Sequence, residues 1–209
     1  MYVVEKVLNG KLLEYCYFLH KEDEKESVCI DPGYDSDKIL NYIEEKELVV
    51  DTILLTHGHF DHILGARAII DKFSPKVYIS EEDEKILYDP YNNYADMIKV
   101  YDIPKIDITK NVHDEDIIEA LGLSIKCLST PGHTSGCISY YIESERILFS
   151  GDTLFKETFG RVDLYSGDFA TIQNSILHKL FLLPDDTKVY PGHGHETTIG
   201  YEKIHNEIL

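Results

Sequence analysis

Thr56-His57-Gly58-His59-Phe60-Asp61-His62 places four groups able to bind a cation within six residues, directly after the apolar run Ile53-Leu54-Leu55. That run reads as a buried strand. Neutral imidazole and carboxylate together are the ligand set of Zn²⁺ and other borderline divalent metals. A helix could not aim His57 and His59 at one ion, because residues two apart on a helix point about 200° away from each other. Gly58 instead allows a tight turn at the strand's end, where two imidazoles can converge. Asp61 and His62 then face a second position nearby. Asp61 also stands where the N-cap of an apolar-patterned helix over 62–73 would lie. The stretch predicts half of a two-metal site. A polar loop of surface histidines is the competing reading, and four groups at this spacing argue against it.

Three further segments share this character. Thr130-Pro131-Gly132-His133 follows a strand over 123–128, Ser150-Gly151-Asp152 follows one ending at Phe149, and Pro191-Gly192-His193 follows Lys188-Val189-Tyr190. Each sets one ligand just beyond a strand, beside a glycine that permits close backbone approach. The candidates are therefore His57, His59, Asp61, His62, His133, Asp152 and His193. An ion with open coordination takes three protein ligands, so these seven suit two ions with Asp152 between them. Taken alone, His133 or His193 reads better as a packing residue. His20, His113, His178, His195 and His205 lack such context and read as surface or helix-face residues. Asp31, at the end of the strand Ser27-Val28-Cys29-Ile30, reads either as a support for the site or as a turn former.

The rest of the chain bounds the fold. Its 209 residues, 43% hydrophobic, suffice for one domain over 1–209 with a real core. No apolar run approaches a membrane span and the start lacks the order of a signal peptide, so a cytoplasmic protein is expected. Cys16, Cys29, Cys127 and Cys137 form no C-x-x-C pair and read as buried thiols of a reducing compartment. Acidic residues outnumber basic ones 38 to 20, and the net charge of −18 argues against nucleic acid or an anionic membrane as partner. A small-molecule substrate remains. Oligomeric state leaves no trace in the sequence.

Periodicity gives a hairpin around Asn9-Gly10, an amphipathic helix over 35–48, a strand over 49–55, another over 75–80 and a short acidic helix over 81–88. Residues 89–110 carry no clear period. Strands over 123–128, 137–142, 146–149 and 188–190 follow, with helices over 169–183 and 200–209. Strands then helix, repeated, predicts an α/β (α+β) chain of two similar halves, sheets face to face and helices outside.

Thr-His-x-His-x-Asp-His, Pro-Gly-His-Thr, Gly-Asp-Thr-Leu-Phe and Pro-Gly-His-Gly, in this order, resemble the motifs of the metallo-β-lactamase superfamily, and within it the glyoxalase II-like hydrolases. The resemblance implies a four-layer αββα sandwich with metals at one edge. It implies one metal on His57, His59 and His133, a second on Asp61, His62 and His193, and Asp152 as the bridge. Where glyoxalase II enzymes carry a Lys and a Tyr for glutathione, this chain has Phe159-Gly160-Arg161-Val162-Asp163, and it ends at Leu209 without their helical extension. Reduced grip on glutathione is expected. Arg161 is a candidate for binding a substrate carboxylate, or pairs with Asp163 to fix its loop. Flavodiiron proteins, with Glu at the position of His59, do not match, and nucleases of the superfamily need basic surfaces.

The expected activity is a binuclear hydrolase of thioesters or related acyl bonds, glyoxalase II-like. Two divalent ions serve it, zinc first, with iron or manganese as alternatives. Asp61 and Asp152 are its catalytic carboxylates. The rival reading is an iron-dependent persulfide dioxygenase, and resemblance to those enzymes implies one iron on His57, His133 and Asp152. A metal-binding domain without catalysis is a third.

Overall fold

Alternating apolar residues form the first two strands, β1 (Tyr2–Asn9) and β2 (Glu14–Lys21), which pair antiparallel with Asn9 opposite Glu14. The computed structural model describes residues 1–209. The β1–β2 connection spans residues 10–13, longer than the two-residue turn that Asn9-Gly10 suggests, with Gly10 (φ 59°) and Leu13 (φ 60°) both left-handed. β3 (Glu26–Ile30) pairs antiparallel with β2, and β4 (Val49–Leu54), β5 (Lys76–Ser80) and β6 (Lys110–Val112) continue the sheet in parallel. The parallel crossovers carry α1 (Ser36–Glu45), α2 (Phe60–Ile63), α3 (Ala66–Phe73) and α4 (Glu81–Glu84). Asp35 caps α1, its side chain accepting from the Lys38 N–H.

The second sheet holds β7 (Ile117–Ala120), β8 (Leu123–Ser129), β9 (Ile138–Ile142), β10 (Ile147–Gly151), β11 (Lys188–Pro191) and β12 (Thr197–Thr198), in the order β12-β11-β10-β9-β8-β7. α5 (Phe169–His178) and α6 (Ile199–His205) belong to this half. Between the sheets, Tyr17, Leu19 and Ile30 meet Ile125, Tyr140 and Phe149 in one buried cluster. Ile39 and Ile43 of α1 and Ile69 of α3 cover the outer face of the first sheet, against Phe18, Ile53 and Val77. Ile172 and Ile176 of α5 cover the second, with Leu148 and Val189. Four layers result, helix, sheet, sheet, helix, as the alternation predicts. Central strands buried on both faces need continuous apolar runs, which Ile53-Leu54-Leu55 at the end of β4 and Ile147-Leu148-Phe149 of β10 show.

Several expectations are corrected. The helix over 62–73 is broken, because the Gly65 N–H donates to the Pro32 carbonyl (2.9 Å) and not to the preceding turn. His59, not Asp61, occupies the N-cap position of α2, and Asp61 sits in its first turn. The helix over 169–183 is α-helical only to His178, then tightens to a 3₁₀ turn over Leu180–Leu182 ahead of Pro184. The acidic helix over 81–88 is regular only through Glu84, and the closing helix ends at His205. β6 and β7 went unseen, being three and four residues long. His20 is buried on β2 beside Glu5 (3.3 Å), not on the surface. All four cysteines are buried and free, with the sulfurs of Cys16 and Cys29 3.5 Å apart. No helix is long and apolar enough to cross a membrane.

The loop after β8 lies directly on α5. Gly132 has φ 135°, and a Cβ there would stand 2.3 Å from the backbone nitrogen of Ile172. Gly132→Ala should therefore destabilise the fold by about 3 kcal/mol or more. Urea unfolding checks this, and an unchanged midpoint would mean that the loop gives way freely.

Candidate metal centre

The loops after β4, β8, β10 and β11 leave the two sheets at one edge of the sandwich, and all seven predicted side chains meet there. His57 and His59 follow β4, Asp61 and His62 lie in α2, His133 follows β8, Asp152 follows β10 and His193 follows β11. They form two trios, His57, His59 and His133 on one side and Asp61, His62 and His193 on the other, with the donor atoms of each trio within 4.8 Å of one another. Asp152 reaches both. Its Oδ2 is 3.6 Å from His133 Nε2 and 3.5 Å from His193 Nε2, and its Oδ1 is 3.5 Å from His62 Nε2. His193 Nε2 is 3.4 Å from Asp61 Oδ2, and His59 Nδ1 is 2.9 Å from His133 Nε2. Two ligands on one tetrahedral Zn²⁺ stand about 3.3–3.4 Å apart. The spacings of 3.4–3.6 Å around Asp152 and Asp61 thus fit a shared cation better than direct bonds, while His59 and His133 stand at hydrogen-bond distance.

Backbone and neighbours fix which atom each imidazole presents. His62 Nδ1–H donates to Asp31 (3.0 Å), His133 Nδ1–H to the Arg161 carbonyl (2.8 Å) and His193 Nδ1–H to the Leu12 carbonyl (3.2 Å). His57 Nδ1–H donates to Thr56 Oγ1 (3.1 Å), whose own hydroxyl donates to Asp31 (2.6 Å). In these four rings Nε2 is left to face the cluster, the outer bond holding the tautomer that a metal ligand needs. The buried Nε2 of His57 and His62 and Oδ1 of Asp152 have no hydrogen-bond partner, which is costly unless something else satisfies them. Asp31 is therefore a support for the site. Gly192 matters for reach, since a Cβ there would lie 2.2 Å from Asp152 Oδ1.

Charge follows from the same packing. Burial and the neighbouring imidazoles hold His57 well below its ordinary range, and burial with His133 beside it pushes His59 down to about 3. Burial opposes the charged forms of Asp61 and His62 as well, but their neighbours outweigh it. His62 and His193 keep the Asp61 carboxyl well below its usual range, while Asp152, Asp61 and Asp31 push His62 well above its own. His193 is raised in the same way, chiefly by Asp152. A divalent cation would take the place of those protons.

The sequence model of the metallo-beta-lactamase superfamily matches residues 9–193. The chain belongs to that superfamily. It is a metallo-hydrolase by that membership, with a His/Asp metal site consistent with a dimetal centre. It is 35% identical to the hydroxyacylglutathione hydrolase GloC of Haemophilus influenzae over 90% of this chain and 89% of that one. Among solved structures it resembles the B3 metallo-beta-lactamase BLEG-1, with TM-score 0.93 and 35% identity over 99% of both chains. It also resembles TTHA1623 in a di-iron-bound form, with TM-score 0.85 and 31% identity over 98% of this chain and all of that one.

As in a superfamily site built at a sheet edge, the cluster floors a cavity, here of 470 Å³. Arg161 lies on its wall, but its guanidinium makes a two-pronged pair with Asp163 (2.7 Å and 2.7 Å). Sequence reasoning missed two carboxyls. Asp83 accepts from the Gly58 N–H (2.8 Å), the Gly136 N–H (3.0 Å) and the Thr134 hydroxyl (2.7 Å), tying the loop after β4 to the loop after β8. The Ser80-x-x-Asp83 spacing at a helix start was its only signal. Glu14 is buried with both oxygens unpartnered, and burial pushes its carboxyl well above the usual range. It packs against Gly33, where a Cβ would lie 2.4 Å from its Oε2, and nothing local in the sequence marks it.

Two outcomes are expected. Asp152→Ala should weaken both metal positions together, and elemental analysis finding only one ion lost would overturn the bridge. Because His62 and His193 are raised above 6.5 without a cation, binding should expel protons and tighten as pH rises through and above that value. Calorimetry in buffers of different ionisation enthalpy reads the proton release, and none at pH 6.5 would contradict these ligands.

Proposed function

We propose that this protein is a binuclear metal-dependent hydrolase of thioesters or related acyl bonds, with zinc in both positions. The observation that carries it is Asp152, set between two complete trios on the floor of a cavity whose wall includes no serine or cysteine. The two hydroxyls on the wall are engaged elsewhere, Thr158 donating to Glu207 and Tyr94 accepting from the Tyr165 N–H, so attack on the acyl carbon is assigned to water. Two divalent ions bound there would supply a hydroxide at neutral pH and polarise the substrate carbonyl. Asp61, ionised and on the cavity wall, accepts a hydrogen bond from the attacking water and orients it. Asp152 holds the two halves in register. The apolar cavity wall limits bulk water around the reacting carbon.

The hydroxyacylglutathione hydrolase relative supports an acyl-sulfur substrate. The di-iron relative keeps iron as the alternative metal. Four buried, unpaired cysteines support a cytoplasmic setting for a single domain acting on a small molecule. The rival dioxygenase needs only His57, His133 and Asp152. That His62 and His193 also have outer hydrogen bonds turning Nε2 toward the cluster speaks for the hydrolase.

His62→Ala and His193→Ala separate these readings. Each should lower hydrolytic kcat at least about 100-fold, whereas a one-iron enzyme would change little. Full hydrolytic activity in both variants would overturn the two-metal reading. With Arg161 held by Asp163, S-lactoylglutathione should be hydrolysed modestly, better as ionic strength screens a net charge of −18. Arg161→Ala should alter its kcat/KM less than about threefold. A strong preference for this thioester that vanishes in Arg161→Ala would instead establish a dedicated glutathione site.

A further inference from the structure

The cavity above the cluster divides by chemistry. Its floor carries His59, Asp61, His133, Asp152 and His193, while Leu12, Met97, Phe155, Phe159 and Leu164 form much of the remaining wall. These come from three separate segments, the β1–β2 loop, the 3₁₀ turn Ala95–Ile98 and residues 155–164. A second cavity of 210 Å³ adjoins it, sharing Leu12, Phe60, Asp61 and Met97, and continues to Tyr34 and Ile98. Leu12 is 48% exposed and Met97 66% exposed, so two large apolar side chains stand in water where the cavities open. Isolated apolar side chains at a surface are ordinary, but two lining both lobes of a catalytic cleft form a binding wall.

Charge points the same way. Arg161, the cationic side chain on the larger cavity's wall, is taken by Asp163, and Lys11 of the smaller cavity is exposed on the β1–β2 loop. Around them the chain carries −18. A substrate carboxylate drawn into the larger cavity would have to displace Asp163 from Arg161, and in the smaller one it would meet Lys11 only from an exposed loop, so its lost hydration is poorly offset. An uncharged chain loses nothing polar, and covers Leu12 and Met97.

We propose that the enzyme selects acyl groups that are uncharged and apolar, running from the reacting carbonyl past Asp61 into the smaller cavity between Leu12 and Met97. This rests on the reading of the site as an acyl-bond hydrolase. Each methylene transferred from water to such a wall strengthens binding about fourfold at most. Contacts remote from the reacting bond raise kcat/KM by the same factor when they also hold the carbonyl in place.

The test uses the metal-loaded full chain and S-acyl-N-acetylcysteamine thioesters from acetyl to octanoyl. kcat/KM should rise about two- to fourfold per methylene until the smaller cavity is filled. The succinyl thioester should fall at least about tenfold below the pentanoyl one. In L12S/M97S, whose substituted positions are exposed, the gain per methylene should shrink to less than about 1.5-fold, with thermal unfolding and metal content unchanged. Non-hydrolysable S-alkyl thioethers give a second readout, since their calorimetric Kd should tighten along the same series. Turnover without chain-length dependence, a slope unaltered in L12S/M97S, or preference for succinyl overturns the proposal and leaves the hydrolase reading intact. Absence of turnover on every thioester, with no tightening of the thioethers, overturns both. Sedimentation showing a wild-type dimer that L12S/M97S dissociates would assign the rim to a second copy of the chain, and would also overturn the proposal.

Discussion

The buried carboxylate of Asp31 is the constraint on which the metal centre depends. It ends β3 with φ 49°, a left-handed conformation that costs about 1–2 kcal/mol for a non-glycine residue. Hydrogen bonds from the Thr56 N–H (2.7 Å), the Thr56 hydroxyl (2.6 Å) and His62 Nδ1–H (3.0 Å) hold it there. One side chain therefore joins the ends of two neighbouring parallel strands to the short helix α2. Through His62 directly, and His57 by way of Thr56, it sets a histidine in each trio. An acid beneath a metal ligand also raises the basicity of the imidazole it holds. Asp83 does the corresponding work between the sheets, by clasping main-chain N–H groups from both.

The sandwich makes this tolerable. Five imidazoles and three carboxylates packed at a sheet edge would repel water-starved neighbours in a soft structure. Here the strands that deliver them are buried on both faces, and their ends are fixed to within the tolerance that coordination demands. Beyond the cluster the wall turns largely apolar, with Leu, Met and Phe side chains from loops of both halves beside Thr158 and Arg161.

The clustering of the seven side chains was legible because chemistry and turn geometry coincide locally. Thr56 to His62 shows its purpose without knowledge of anything distant, and His133, Asp152 and His193 each follow an apolar strand and touch a glycine. The layered fold was legible for the same reason, since β8 and α1 carry clean periods and β4 ends in the apolar run Ile53-Leu54-Leu55. What stayed hidden depends on partners remote in the chain. Asp83 looks like one more acid in Glu81–Glu84 until Gly58 and Gly136 are placed around it, and Glu14 looks like a hairpin residue. The break at Gly65 was hidden too, because it arises from Pro32 and Gly33 pressing against the helix. Residues 89–110 contribute Tyr94 and Met97 to the cavity, yet they hold their shape through side-chain bonds to turns and not through any period.

Each trio takes members from both sheets. His57 and His59 belong to the first half and His133 to the second; Asp61 and His62 belong to the first and His193 to the second. A cation in either position is thus a staple across the sandwich, closing a loop as a disulfide would. His59 and His133 lie 74 residues apart, and a cross-link over such a span removes about 4 kcal/mol of chain entropy from the unfolded state. Neither six-stranded half can assemble a trio alone. A bound cation would therefore add a cross-link to the apolar contact between the two sheets, and a chelator would remove that cross-link while leaving the apolar contact in place.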